Sequence, residues 1–382
     1  MTSLLHSSTA IVSVKSTSFA PVLQLRKLKK FGQPFPELTA LALDLQHLLS
    51  DVPVVPDSFL GGSAPRLRLL IFKDIPFPGL QKLLLSATHL VQLHLWDIIP
   101  HSGYISPEEM VTCLSVLTSL ETLSLGFESP QSSPDQESGP YAPPPPTRSV
   151  LPTLRTFTFK GINEYLEELL ARIDTPGLFR LWILFFDDID FDTSQLIQFV
   201  GRTLTFKPFN EAHVTFRRTD SQFQLRSQES NLEMVRVDIS CRETNWQLST
   251  LAQICTSFSP HLSAAESLYI HEGFHSKPDW SDVENTEWLE VLFPFTAVKN
   301  LYISKKFGHV SPPLCKSSPR VEWQQCCPPF RIFSWRGSSH RNLSRKALGC
   351  SFLADSSPIT LLPSLRGTDP RSTGSRPLED DD

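Results

Sequence analysis

The residue pattern most able to do chemistry is His271–Glu272–Gly273–Phe274–His275, which matches the H-E-x-x-H zinc motif. In that motif two imidazoles on one helical face hold the metal, and the glutamate acts as a general base. Here the motif directly follows Leu268–Tyr269–Ile270, whose alternating pattern predicts a strand, and Pro278 lies just beyond it. Because two histidines at a strand-to-loop exit would not converge, we predict a surface loop and keep a zinc metalloprotease as the alternative.

The other candidate groups are an acidic run and the cysteines. The run Asp187–Asp188–Ile189–Asp190–Phe191–Asp192 lacks the D-x-D-x-D-G order of calcium loops, so we interpret it as a solvated edge beyond a strand. The 7 cysteines form no C-x-x-C pair, and the adjacent Cys326 and Cys327 are poorly spaced to bind one zinc ion. The sequence also lacks phosphate-binding glycine loops and a G-x-S-x-G elbow. We therefore predict a non-enzymatic protein with no catalytic, metal-binding or cofactor-binding residues and no cofactor.

The elements that position these groups come from a repeated Leu-x-x-Leu-x-Leu fragment, which recurs every 23 to 34 residues. Its members are Leu38–Leu41–Leu43, Leu67–Leu70–Phe72, Leu90–Leu93–Leu95, Leu120–Leu123–Leu125, Leu154–Phe157–Phe159, Leu178–Leu181–Ile183, Phe209–Ala212–Val214, Leu232–Val235–Val237, Ala265–Leu268–Ile270 and Val298–Leu301–Ile303. The alternating part of each fragment predicts a short strand with one buried face. The segment that follows must return the chain so that the next strand stacks beside it.

Several return segments have helical patterns. Residues 164–173 carry apolar side chains at helical spacing, with Asn163 as the predicted N-cap. Ser106 followed by Pro107 and two glutamates predicts another helix start, and Thr193–Ser194 a third. Units of this kind bury their apolar faces only by stacking. We predict an α/β fold: an irregular leucine-rich-repeat solenoid, a horseshoe of parallel strands with helical or irregular return segments.

Charge and proline divide the 382 residues into three parts. Residues 1–32 contain no acidic side chain, whereas residues 31–307 hold 20 Lys and Arg against 33 Asp and Glu, a net charge of 20 − 33 = −13. Residues 308–382 are rich in Pro, Ser and Arg. We predict a basic N-terminal segment (1–32), a repeat region (33–307) and a tail (308–382), with both ends disordered.

A proline-rich stretch at 130–152 interrupts the repeats and contains Pro143–Pro144–Pro145–Pro146. Consecutive prolines favour an extended polyproline helix that cannot donate backbone hydrogen bonds. We interpret the stretch as an exposed loop between repeats. A docking peptide for an SH3- or WW-type partner is the alternative.

The repeat region resembles the leucine-rich repeats of F-box-type proteins from mushroom-forming (basidiomycete) fungi. The resemblance rests on PFPELTALAL from Pro34, FPGLQKLLLSATHLVQLHLWDI from Phe77, LTSLETLSLGFESP from Leu117, EYLEELLARIDTP from Glu164 and PFTAVKNLYIS from Pro294. It implies a role like that of the substrate-recruiting repeats of ubiquitin-ligase adaptors. No F-box pattern precedes Pro34, so the resemblance implies partner recognition more directly than ligase docking.

The two ends do not match the family as written, but shifted reading frames of both can encode strings that resemble it. This holds for Ser3–Ser16 and for Phe333–Arg336 and Lys346–Gly349, which suggests frame-shifted ends with junctions near Gly32 and Gly308. A truncated or pseudogene-like product without a ligase-docking role is therefore the alternative function.

The predicted activity is protein–protein interaction, with an unknown protein partner on the concave face formed by the parallel strands. We expect no nucleic-acid partner, because the basic tail lacks interleaved aromatic residues. No run of 18 or more apolar residues exists, so we expect no membrane association, and a cytoplasmic or nuclear location.

Overall fold

A computed structural model of the chain describes residues 10–15, 35–44, 54–98, 104–128, 147–186, 193–206, 208–227, 234–241, 244–273, 285–304 and 331–335. All of them belong to one compact unit, Met1–Arg336.

The described residues form fifteen strands and seven α-helices. The strands are β1 (Ala10–Lys15), β2 (Leu38–Asp44), β3 (Leu69–Lys73), β4 (Gln92–Ile98), β5 (Thr122–Phe127), β6 (Ser149–Val150), β7 (Thr156–Gly161), β8 (Ile173–Asp174), β9 (Arg180–Phe185), β10 (Glu211–Phe216), β11 (Asp220–Arg226), β12 (Met234–Ser240), β13 (Ser267–Glu272), β14 (Asn300–Ser304) and β15 (Arg331–Trp335). The helices are α1 (Leu80–Ser86), α2 (Pro107–Val116), α3 (Asn163–Arg172), α4 (Ser194–Arg202), α5 (Thr244–Ser257), α6 (Ser259–Leu262) and α7 (Asn285–Leu292).

Thirteen strands form one sheet in the order β1-β2-β3-β4-β5-β7-β9-β12-β11-β10-β13-β14-β15, and β6 pairs with β8 in a small second sheet. Every pairing in the large sheet is parallel except the two made by β11. Each of the ten predicted repeat fragments contains a strand, so the prediction of an α/β fold with parallel strands is confirmed.

The large sheet buries one face against the helices. Alternate side chains along strands β2 to β5, β7 and β9 to β14, such as Leu70, Leu93 and Phe157, join the buried side chains of the helices in a single apolar core cluster. Alternation sends the intervening residues to the opposite face. We call that opposite side the polar face, because polar and charged residues occupy most of its positions from β4 to β14.

Strands β10, β11 and β12 break the sequential order of the sheet. Strand β12, and not β10, pairs with β9, while β10 pairs with β13. The prediction that each strand stacks beside the preceding one is wrong here. The linkers 217–219 and 227–233 are shorter than the dozen or so residues that a parallel crossover requires, so β10, β11 and β12 pair as antiparallel neighbours. In a meander of three antiparallel strands, the first and third strands run in the same direction. Strands β10 and β12 are therefore parallel to the other strands of the sheet.

The predicted N-cap residue is correct for two helices and is shifted by one residue in a third. Ser106 caps α2 through a capping box: its hydroxyl accepts from the Glu109 N–H, and the Glu109 carboxylate accepts from the Ser106 N–H. Thr193 is the N-cap residue of α4, as predicted. In α3, however, Asn163 is the first helical residue and Ile162 the N-cap. The Asn163 side chain is buried, so packing rather than capping decides its position.

Five strands lie outside the predicted repeat fragments, and two of them are β8, at the end of the helical pattern 164–173, and β11. Strand β1 pairs with β2 although it falls within residues 1–32, and β15 pairs with β14 although it falls within residues 308–382. Strand β6 lies near the end of the predicted loop 130–152. The tetraproline run lies outside the described residues.

Candidate interaction surface on the polar face

A row of planar side chains crosses six neighbouring strands in the middle of the polar face. Strand register places the members opposite one another from β9 to β14. In spatial order they are Trp182, Arg236, Gln224, His213, Tyr269 and Tyr302. We call this set the planar row.

Three rings of the planar row are stacked. The ring centroids of His213 and Tyr269 are 4.5 Å apart with planes 7° from parallel, and Tyr269 and Tyr302 show the same two values. This distance is close to the spacing of neighbouring strands, about 4.8 Å, so the sheet itself sets the stack. His271 lies beside it with its ring nearly parallel to both His213 and Tyr269. The rings cover one another's faces, and Nε2 of His213 lies 3.5 Å from the carboxylate of Glu211 on the same strand.

Burial is the main influence on the pKa of the central phenol. Burial raises the pKa of Tyr269 to about 12, with smaller contributions from the nearby Glu211 carboxylate and from Tyr302. Tyr269 is therefore a neutral hydroxyl at physiological pH and can donate or accept a hydrogen bond.

The other end of the planar row is a rigid charged cluster. The indole Nε1 of Trp182 donates to Oδ2 of Asp238 at 2.7 Å. Arg236 donates from Nε to both carboxylate oxygens at 2.9 Å, and its guanidinium carbon lies 4.3 Å from the Trp182 ring centroid. Bidentate ion pairing and cation–π stacking act together on Arg236. Asp238 is only 4% exposed, so the cluster is partly desolvated as well as ordered.

Strand β11 connects the two ends through amide groups. Oε1 of Gln224 accepts hydrogen bonds from Nε2 of Gln222 and from Nη2 of Arg226, both at 3.1 Å. Arg217 donates to Oε1 of Gln222 at 3.2 Å and pairs with Asp220 at 2.8 Å. Both glutamine side chains are buried by their neighbours, so this part of the polar face is fixed by hydrogen bonds instead of apolar packing.

A second, smaller feature lies on β4 and β5. Nδ1 of His94 is 3.0 Å from the Ser124 hydroxyl, and burial lowers the pKa of His94 to about 4. Two residues further along the same strands, the Trp96 indole lies directly over Gly126. A neutral imidazole beside a buried hydroxyl has the elements of a proton-transfer pair. It lacks an orienting carboxylate in the interactions of these residues, so we assign it a packing role.

Only some of the residues that the sequence suggested for metal binding lie in the described part of the chain. His271 and Glu272 lie on strand β13, which extends two residues beyond the predicted strand, so the prediction of a surface loop is wrong for these two residues. A strand places consecutive side chains on opposite faces. His275 and the acidic run 187–192 lie outside the described residues. Among the residues that the structure describes, no group of three or more His, Cys, Asp or Glu side chains could hold a metal ion.

The cysteines in the described part of the chain are Cys113, Cys241 and Cys255, and all three are buried free thiols. Burial and the Glu109 carboxylate raise the pKa of Cys113 to about 11, and burial alone raises that of Cys255 further. Both are inert as nucleophiles, because reactivity requires the thiolate.

Sequence reasoning identified no member of the planar row as a functional residue. The one available signal was the presence of the large side chains of Trp182, Arg236, Tyr269 and Tyr302 at the x position before the last apolar residue of four fragments. No helix of the described segments is both long and apolar enough to cross a bilayer.

No protein-family model matches the chain, and no curated protein matches it. Among solved structures it is similar to the leucine-rich-repeat-containing protein LegL7 from Legionella pneumophila, with 11% identity over 78% of this chain and 82% of that one. The TM-score of this match is 0.31, which is too low to support an argument about either fold or function.

Proposed function

We propose that the chain is a non-enzymatic leucine-rich-repeat module that binds another protein through its polar face. The observation that carries this proposal is the planar row, which presents Trp182, Arg236, Tyr269 and Tyr302 side by side on one sheet surface. Trp, Tyr and Arg are the residues most enriched among the energetic centres of protein interfaces.

The side chains of the planar row are held in fixed positions, and this supports a binding role, as their composition does. Stacking fixes His213, Tyr269 and Tyr302, and the ion pair with Asp238 fixes Arg236. A surface that is already ordered loses little side-chain entropy when a partner docks, and that loss is a main cost of association. The hydroxyl, imidazole and guanidinium edges supply hydrogen-bond donors and acceptors of the kind found across interfaces.

The finer proposal is that the partner is a substrate recruited in the manner of fungal F-box ubiquitin-ligase adaptors, in the cytoplasm or nucleus. It rests on the sequence resemblance of residues 33–307 alone.

Photo-crosslinking tests the surface directly. Benzoylphenylalanine in place of Tyr302 puts the reactive group on the polar face, and the same residue in place of Leu85 puts it on helix α1, where Leu85 is 40% exposed. In an extract of a basidiomycete, the source that the resemblance implies, we expect a discrete crosslinked species from position 302 only. The variant Trp182→Ala/Tyr269→Ala should abolish it.

Two results would contradict the proposal. One is an equal yield of the same species from position 85, and the other is an undiminished yield from position 302 in the double variant. Mass spectrometry of the species then decides the finer proposal, which requires a protein that becomes ubiquitylated.

A further inference from the structure

Three arginines lie on three neighbouring strands of the polar face, at the charged end of the planar row. Arg180 on β9 and Arg226 on β11 both lie opposite Met234 of the intervening strand β12, and Arg236 lies two residues further along β12. At about 4.8 Å per strand, Arg180 and Arg226 are about 10 Å apart at the backbone, with Met234 between them. We call these residues the arginine triangle.

The nearby carboxylates only partly neutralise the arginine triangle. Asp238 accepts from Nε and Nη2 of Arg236, which leaves Nη1 for another partner. Glu211 lies opposite Arg226 on β10, on the side away from Arg180. Among the described residues at this position, three positive groups therefore face two negative ones. The surrounding region of the chain (31–307) has a net charge of 20 − 33 = −13.

We propose that the arginine triangle binds the carboxylate of an Asp or Glu side chain in a peptide segment of the protein partner. The proposal rests on the proposed function and specifies its chemistry. Guanidinium groups bind carboxylates through parallel N–H···O bonds, and Arg236 is already oriented by Asp238 and Trp182. The adjoining planar row would contact the rest of the segment through its polar edges.

The charge balance favours one carboxylate over a nucleic acid. A local excess of about one positive charge matches a single carboxylate. A nucleic acid carries a negative charge at every residue, and the acidic remainder of the repeat region would repel it. A phosphorylated side chain, with a charge near −2, fits the local balance less well.

Fluorescence anisotropy on the full chain tests this proposal. The probe is a labelled twelve-residue peptide of alternating Ser and Glu, and the comparison probe has Gln in place of each Glu. We expect saturable binding of the Glu peptide, at least tenfold weaker binding of the Gln peptide, and a loss of affinity in 0.3 M salt.

The variant Arg180→Gln/Arg226→Gln should bind the Glu peptide at least tenfold more weakly. The control Arg66→Gln/Lys299→Gln removes the same two charges from positions 62% and 67% exposed at the side chain, away from the arginine triangle. It should bind within twofold of the unmodified protein. Circular dichroism melting curves establish that each variant is folded.

Equal affinity of the two double variants would overturn the proposal. So would equally tight binding of a dodecathymidylate or of a phosphoserine peptide, which would make the site a general polyanion or phosphate site. The crosslink from position 302 is a separate readout. If it persists in Arg180→Gln/Arg226→Gln, the carboxylate proposal fails while the interaction surface remains.

Discussion

The Glu167 carboxylate on α3 accepts a hydrogen bond from the backbone N–H of Leu196 in the first turn of α4, with an N–O distance of 2.9 Å. Its second oxygen accepts from the Gln195 N–H at 2.6 Å. The N-cap residue Thr193 makes no capping hydrogen bond with its side chain, so a residue of the neighbouring helix satisfies these amides. The contact joins two consecutive return segments at the point where the chain leaves β9 for strands β10 to β12.

We predict that Glu167→Ala lowers the free energy of unfolding by about 2 kcal/mol, because it leaves two helix N-terminal amides without their acceptor and removes a negative charge from the helix dipole. Urea unfolding followed by circular dichroism measures the change. Glu168→Ala is the matched control, since its partly exposed pair with Arg172 on the same helix contributes only about 0.5 kcal/mol. Equal losses in the two variants would show that the Glu167 contact does not stabilise the fold.

The hydrogen bond between Trp182 and Asp238 gives a second prediction. Trp182→Phe keeps an aromatic ring under Arg236 but removes the donor to a buried carboxylate, so we expect a loss of about 1–2 kcal/mol. Trp246→Phe, on the exposed surface of α5, should change stability by less than about 0.5 kcal/mol. Chemical unfolding compares the two variants, and a harmless Trp182→Phe would argue against an ordered charged cluster.

How well the sequence predicts each part of the fold depends on how far apart along the chain the interacting residues lie. Leu70, Leu93 and Leu123 were predictable core residues because strand alternation is a local property, and all three are fully buried. The exchange of β10 and β12 was not predictable, because contacts between residues distant in sequence decide which strand pairs with β9. Strand β11 carries Phe223 and Leu225 in alternation but lacks the leucine fragment, so it was missed.

The candidate surface was harder to predict than the core for a related reason. Residues at the x positions of each fragment do not face the apolar core, so their types follow no hydrophobic period. Only strand register brings Trp182, Arg236, Tyr269 and Tyr302 into one row. Across β10, β11 and β12, that register is set by the antiparallel meander.

The pKa of His94 predicts a pH-dependent loss of stability. Burial lowers this pKa from 6.5 to about 4 in the folded protein, so the unfolded chain binds the proton first as pH falls. The contribution of His94 is therefore fully present above pH 6.5 and is lost as pH falls towards about 4, by at most about 3 kcal/mol.

Urea unfolding at pH 7.5 and pH 4.5 measures this effect. His94→Gln, which retains a polar group beside Ser124, should lose less stability between the two pH values than the unmodified protein does. The exposed residue His89 supplies the control, and His89→Gln should leave the pH dependence unchanged. An identical pH dependence in His94→Gln would assign the acid sensitivity to other groups.

The predicted frame shifts at the two ends have a direct test in the transcript. We expect complementary DNA to differ from the displayed coding near Gly32 and near Gly308, restoring a sequence that resembles the family on both sides. In the displayed frame, strands β1 and β15 pair with β2 and β14. Transcripts that read through both junctions in the displayed frame would contradict the prediction.

Two glycines should respond to alanine in opposite directions. A Cβ at Gly126 would lie 2.4 Å from Cε3 of Trp96, so Gly126→Ala must displace the indole and should cost about 1–3 kcal/mol. At Gly201, in α4, the nearest atom would be Cε1 of His261 at 3.5 Å, an ordinary contact. Gly201→Ala should therefore stabilise the protein by about 0.5 kcal/mol, since alanine has the higher helix propensity.

A double-mutant cycle identifies the cause of the loss at Gly126. If the indole is the obstacle, Gly126→Ala should cost much less in a Trp96→Ala background than in the unmodified protein, because the space above the strand is then open. A cost that is unchanged by Trp96→Ala would instead point to the backbone of β5. The stacking of Trp96 over Gly126 would then have no part in ordering this end of the polar face.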